Sequence, residues 1–269
     1  NGTYCEMLFE TRPGGGNTRE ALFGPPTCGG NGNGGYIYHD LVELFPMKDG
    51  KSVGKSEKYA YDPLNPAEGR DPRFANTVVW NGTKMKSAGD NNHIVYTYRG
   101  PGATTDAIYA GTPTGYYIRK MSHRGLAGNW FVGTSQAFDL IRYAEILLIY
   151  AEAHTQTTGY DAATEAALNQ LRDRCGMPDV PSGLSKEEGL KLIQNERRIE
   201  LAGEGFRGDD MTRYSDDYWK EHMNNVPIMT PDGDTELTMK WSSRMRLKPI
   251  PQTAIDLNPL LAGDQNPGY

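Results

Sequence analysis

Residues 195–214, NERRIELAGEGFRGDDMTRY, crowd carboxylates and guanidinium groups onto what reads as the end of a helix. Three chemistries use such a set: acid–base hydrolysis, cation binding, and ion pairing that holds chain segments together. A glycoside hydrolase needs two carboxylates flanking a cleft, one of them with a raised pKa. Glu196, Glu200 and Glu204 recur every four residues and project from one helix face, so they cannot readily flank a sugar ring. Arg197, Arg198 and Arg207 lie within reach, and neighbouring cations lower a carboxylate pKa, the wrong direction for a general acid at neutral pH. The same arginines compete with a bound metal ion. Ion pairing fits better, because the planar arginine fork matches a carboxylate and Arg197 is a helical neighbour of Glu200 and Glu204. The stretch therefore reads as a clasp. It ties its helix to the following loop and, through Arg142 or Glu145, to an earlier helix.

Other reactive constellations are weaker. The run GGNGNGG at 29–35 lacks the lysine and hydroxyl residue of a phosphate loop, and no G-x-S-x-G elbow occurs. His39, His93, His123, His154 and His222 have no metal-ligand spacing. Asp232, Asp234 and Glu236 alternate like the start of a calcium loop, but the rest of that pattern fails, and a surface turn is expected. Cys175 closes an apolar helical stripe and reads as a buried thiol, whereas Cys5 and Cys28 are able to pair in an oxidising compartment. No cofactor is called for.

A chain of 269 residues is long enough for a proper core. With 32 glycines and 17 prolines it carries much loop, but 16 tyrosines and 4 tryptophans are available to pack it, which argues against disorder. A net charge of -6 gives no electrostatic reason to seek nucleic acid or an anionic membrane, and no apolar run is long enough to span a bilayer.

The pattern changes near residue 135. Residues 1–135 read as a loop-rich region with short strands, at TVVW 77–80, HIVYTYR 93–99 and YYIRKM 116–121, and one short helix in YHDLVELF, where Leu41, Leu44 and Phe45 share a face. Residues 136–269 read as helical. Ile141, Ala144, Leu148 and Ala151 form one stripe, and Gly159 ends that helix. Asp161 caps a second helix that stops at Gly176 and Pro178, with Leu168, Leu171 and Cys175 as its stripe. The short linker makes the pair antiparallel, a tetratricopeptide-type hairpin. A third helix starts with the Ser185–Glu188 capping box and shows Leu190, Ile193, Arg197 and Leu201 on one face. The expected architecture is mostly α, the hairpin packed on an irregular, sparsely stranded α+β half.

Five phrases, in order, carry a family resemblance: LVELF…DGK (41–51), GRDPRF (69–74), IRYAEILLIYAEA (141–153), ERRIELAGEGFRGDDMTR (196–213) and LKPIPQTAIDLNPLLAGDQNPGY (247–269). The chain resembles the C-terminal portion of SusD/RagB outer-membrane nutrient-binding lipoproteins. Family members carry a bulky aromatic pair after the arginine of EGxR, where this chain has Gly208 and Asp209, so packing there is expected to differ. The resemblance implies cell-surface capture of a glycan or other nutrient without chemistry. It implies delivery to a SusC-like TonB-dependent transporter, and contact with the membrane only through the lipid anchor of an N-terminal part absent from this sequence. A structural module that contacts the transporter without its own ligand site is the alternative.

Sugar recognition pairs flat aromatic faces with side chains that take the hydroxyls. The stretch 11–40 supplies Tyr36, Tyr38, His39, Asn31, Asn33 and Arg12, and the resemblance places ligand-stacking aromatics in loops of this region. Tyr36 and Tyr38 are the foremost candidates, although alternate tyrosines beside a helix also serve as packing. Trp80, Tyr98, Arg99 and Trp130 rank second.

Overall fold

The computed structural model describes residues 6–11, 19–32, 34, 36–98, 102, 104–120, 122, 137–230 and 235–269. Short elements make up the first part: β1 (Met7–Glu10), α1 (Arg19–Phe23), α2 (His39–Leu44), α3 (Pro72–Thr77), β2 (Val78–Val79), β3 (Thr83–Ser87), β4 (Asp90–Val95) and β5 (Tyr117–Ile118). The strand β6 (Asp139–Arg142) leads into three longer helices: α4 (Tyr143–Thr157), α5 (Ala162–Cys175) and α6 (Lys186–Glu200). Beyond them lie α7 (Arg207–Arg213), α8 (Asp216–Met223), β7 (Pro227–Met229), β8 (Thr235–Thr238) and α9 (Gln252–Leu257). The strands form separate antiparallel pairs, β1 with β6, β2 with β5, β3 with β4 and β7 with β8. The chain is mostly helical with small scattered sheets.

Local chemistry sets the helix ends. Asp161 accepts hydrogen bonds from the Ala163 and Thr164 backbone N–H groups, and Gly176 closes α5 in the left-handed conformation (φ 69°). Ser185 and Glu188 form the full capping box of α6. α4 and α5 pack as the expected hairpin. Leu148, Ala151, Leu168 and Leu171 are buried together with Ile193 of α6. The opposite face of α4 leaves Tyr143, Ile146, Ile149 and Tyr150 exposed. Within α6, Gly189 lies against Tyr160, and a Cβ there would stand 2.4 Å from the ring. A second core gathers Ile37, Val42, Phe45, Phe74, Val78 and Ile118 of the loop-rich part around Ile199 of α6. One helix thus serves both cores.

Two expectations about the apolar helical stripes fail. The helix begins at Tyr143, and Ile141 stands 40 % exposed on a strand. Residues 139–142 pair with β1, Arg142 opposite Met7, and this tertiary partner overrides local helical periodicity. Cys175 is half-buried, its sulfur 4.0 Å from Arg174, because the last turn of α5 faces an arginine cluster. The change of pattern near residue 135, like Cys5, lies outside the described residues.

The clasp is real, but its partners come from far along the chain. Arg73 Nη1 lies 2.6 Å from Glu196 and 3.0 Å from Glu200, and its other edge holds Asp71 at 2.7 Å. Arg172 takes the second oxygen of Glu196 at 3.1 Å. Arg142 and Arg174 approach Glu200 to 2.9 and 2.6 Å. Arg142 also holds Glu204 at 2.6 Å, and Lys120 joins the same carboxylate. The pairs of Arg197 with Glu200 or Glu204 do not form. Arg197 turns instead to Asp210 at 2.8 Å, with Glu145 at 3.9 Å, because the last turn of α6 is buried and each of its charged groups meets a counterion from the element that covers it. Of the two residues expected to link it to the earlier helix, Glu145 does so from α4, whereas Arg142 does so from the end of β6.

Burial alone would raise the Glu200 pKa, but Arg142, Lys120, Arg174 and Arg73 overcome it and hold the group at about 2. Its contribution to stability is therefore complete above its ordinary value of 4.5 and lost as pH falls through about 2. Glu200→Gln is expected to cost about 3–5 kcal/mol at neutral pH. It should also flatten the loss of stability below pH 4.5, both read from urea melts across pH. Gly189→Ala, which in an open helix would stabilise by about 1 kcal/mol, should instead lower Tm because of Tyr160.

Candidate ligand-binding site

Two cavities flank the segment 36–39, and the order of its residues decides which side chain meets which. Tyr36, Ile37 and Tyr38 lead into α2, with Tyr38 extended at φ -89°, ψ 153°. Successive side chains of an extended chain point to opposite faces. Ile37 is buried at 2 % exposure in the core beneath, and all three residues contribute to the lining of a cavity of about 300 Å³. His39, one residue on, lines a separate cleft of about 170 Å³.

The larger cavity lies against α6, α7 and α8. Its aromatic walls are Tyr36, Tyr38, Phe206 and Trp219, and its polar groups are Asp40, Arg197, Arg198, Arg207, Asp210 and His222. The Tyr36 hydroxyl donates to the Gly32 carbonyl at 2.5 Å, which fixes its ring. Burial, then the nearby Asp40 and Tyr36, push Tyr38 above the ordinary tyrosine pKa, so its hydroxyl remains a donor. Asp40 sits 2.5 Å from Arg198 and 3.6 Å from His222. Burial would raise its pKa, but the His222 hydrogen bond and the Arg198 charge hold it near 2.

The smaller cleft is lined by His39, Tyr61, Trp80, Tyr98 and Tyr116, with Glu43 and Asn81 as polar groups and Leu64 exposed beside them. The GRDPRF segment lies behind the lining rings. Arg70, fully buried, donates to the Val42 and Phe45 carbonyls at the end of α2 and lies 4.8 Å from the Phe74 ring and 5.6 Å from the Tyr61 ring. Phe74 in turn supports Trp80, their ring centres 5.4 Å apart. The Tyr98 hydroxyl donates to the Met229 carbonyl. His39 Nδ1 lies 3.0 Å from the Tyr116 hydroxyl, and its Nε2 lies 3.4 Å from Glu43. That hydrogen bond lowers the Glu43 pKa despite partial burial, so Glu43 is an acceptor rather than an acid. Each ring is held from behind, leaving a pre-formed aromatic cleft.

Of the residues singled out in the sequence, Tyr36 and Tyr38 therefore meet in one cavity, and His39, Trp80 and Tyr98 meet in the other. Asn31 is exposed and lines neither. Arg12, Asn33, Arg99 and Trp130 lie outside the described residues, as do Asp232 and Asp234. Sequence reasoning missed Tyr61, Glu43 and Asn81 in the cleft, which sit in turns or on helix faces with no distinguishing pattern. It also missed the aromatic role of Phe206 and Trp219. The Asp40 and Glu43 carboxyls are both held below their ordinary pKa, the wrong direction for the acid that glycoside hydrolysis requires. Among the described residues no cluster of three His, Cys, Asp or Glu side chains is placed to hold a metal ion. None of the described helices is long and apolar enough to cross a membrane.

The Asp40–Arg198 pair joins α2 to α6 with side-chain exposures of 19 % and 6 %. Asp40→Asn leaves a buried guanidinium without its anion, and urea denaturation should report a loss of about 3–5 kcal/mol.

Residues 5–269 match the sequence profile of the SusD family. SusD-like protein P2 of Formosa agariphila is 30% identical over 154 residues, which cover 55% of this chain and 29% of that protein. SusD-like protein P38 of the same organism is 39% identical over 82 residues, 28% of this chain and 16% of that protein. A solved SusD-like protein of Bacteroides fragilis superposes over 98% of this chain and 54% of its own, with a TM-score of 0.72 and 25% identity. A SusD-like carbohydrate-binding protein of the same species shares the fold over 94% of this chain and 54% of its own, with a TM-score of 0.70 and 23% identity. The chain thus spans about half the length of these solved relatives and less of the curated ones.

Proposed function

The chain belongs to the SusD family, and from that premise we propose that it binds a glycan at the Trp80–Tyr98 cleft without transforming it. The observation that carries this reading is the cleft itself. His39, Tyr61, Trp80, Tyr98 and Tyr116 surround one opening together with Glu43 and Asn81. The apolar faces of pyranose rings lie on aromatic side chains, and sparse polar groups of fixed orientation select among hydroxyl patterns. Glu43 accepts from sugar hydroxyls. The Asn81 side-chain oxygen is occupied by the Thr97 backbone N–H at 3.0 Å, which orients its amide as the donor. A structural relative in Bacteroides fragilis is a SusD-like carbohydrate-binding protein, in keeping with this assignment. On this reading the protein works at the outer-membrane surface, held there by a lipid anchor. There it passes its ligand to a SusC-like TonB-dependent transporter.

Affinity electrophoresis against a panel of neutral polysaccharides, with calorimetry on each hit, tests the proposal. Wild-type protein should be retarded by at least one glycan. Trp80→Ala and Tyr98→Ala should each weaken that binding about tenfold or more, whereas Tyr36→Ala should leave it unchanged. Absence of retardation by every glycan would favour the alternative, a module that contacts the transporter without a ligand of its own.

A further inference from the structure

The larger cavity carries a charge that the protein itself does not neutralise. Three guanidinium groups line it. Arg197 is balanced by Asp210 at 2.8 Å and Arg198 by Asp40 at 2.5 Å. Among the described residues Arg207 forms no ion pair, Asp40 attracting it only from further off, and its one hydrogen bond goes to the Tyr218 hydroxyl at 3.0 Å. The Tyr218 ring lies 5.3 Å from the same guanidinium and holds it in place. A guanidinium has five N–H donors, so most of this fork is left for a partner. On the same cavity wall, Arg197 is 6 % exposed and its Nη1 is buried without a hydrogen-bond partner among the described residues. Leaving such donors unmatched is costly. The surplus is also opposite in sign to the chain as a whole, which carries a net charge of -6.

The remaining walls tell what kind of anion fits. Tyr36, Tyr38, Phe206 and Trp219 give the cavity flat apolar faces, and about 300 Å³ lies at the small end of ligand sites. A bare inorganic ion would leave those faces unused. We infer that this cavity is a second binding site, which takes one acidic sugar ring, its carboxylate or sulfate ester held by the Arg207 fork and its ring laid against Tyr36 and Tyr38. Planar, two-pronged recognition of an oxyanion is what arginine does better than lysine. Gly208 lines the cavity beside Arg207, is exposed, and has no side chain to close the mouth. The site shares no lining residue with the Trp80 cleft and stands or falls independently of it.

Calorimetry on the whole chain at low ionic strength, with sodium glucuronate, glucose 6-sulfate and glucose as separate titrants, decides the matter. At least one of the two acidic sugars should bind and glucose should not, and the acid that binds identifies the oxyanion as carboxylate or sulfate. Arg207→Gln should weaken that binding about tenfold or more and leave the retardation of neutral glycans by the Trp80 cleft unaltered. Tyr36→Ala should weaken it as well, which guards against a folding defect in the arginine variant. Arg207→Lys keeps the charge but loses the fork, and should fall between the two. Binding of glucose as tight as that of the acids, unchanged affinity in Arg207→Gln, or no heat with either acid would each overturn the inference.

Discussion

The fold hangs on the buried carboxylates of α6. Glu196 and Glu200 are each 2 % exposed, and the arginines that surround them offset the hydration lost on burial. Those arginines come from places distant in the chain: Arg73 from α3, Arg142 from the end of β6, Arg172 and Arg174 from α5. Each carboxylate therefore fixes the position of several elements at once. Apolar packing supplies the bulk of the stabilisation, as it does in most domains. The ion pairs decide which elements lie where, because a guanidinium fork tolerates little displacement from its carboxylate.

Because α6 is held from several directions, both cavities inherit rigid walls. Asp71 and Arg73 anchor the GRDPRF segment to α6, and the same segment places Arg70 beneath Tyr61 and Phe74 beneath Trp80. The cleft aromatics sit on loops and short elements, yet their backs rest on a buried cation and a core phenylalanine. On the other side of residues 36–39, Asp40 ties α2 to Arg198, which sets Tyr36 and Tyr38 opposite α7. Arg207, the arginine of EGFR, is left over when the other guanidinium groups of the stretch have found their carboxylates. The residues that hold the fold and those free to meet a ligand are interleaved in a single phrase of sequence.

What the sequence determined by itself was everything governed by nearest neighbours. The capping box at Ser185 and Glu188, the Asp161 cap, the Gly176 stop and the α4–α5 hairpin follow from contacts within a few residues, and all are present. The nature of the acidic and basic phrase as a clasp was also legible, since Glu196, Glu200 and Glu204 share a helix face with arginines close by. What only the tertiary structure decided was the identity of the partners. Arg73 and Glu196 are 123 residues apart, and no local pattern links them. Ile141 belongs to a helical stripe by spacing but to a strand by its pairing with β1. Tyr38 and His39 are adjacent, yet the turn into α2 sends them to different cavities. Local propensity costs or gains a fraction of a kcal/mol per residue, whereas a buried charge must find its counterion or stay out of the core. Where the two conflict, the long-range term prevails.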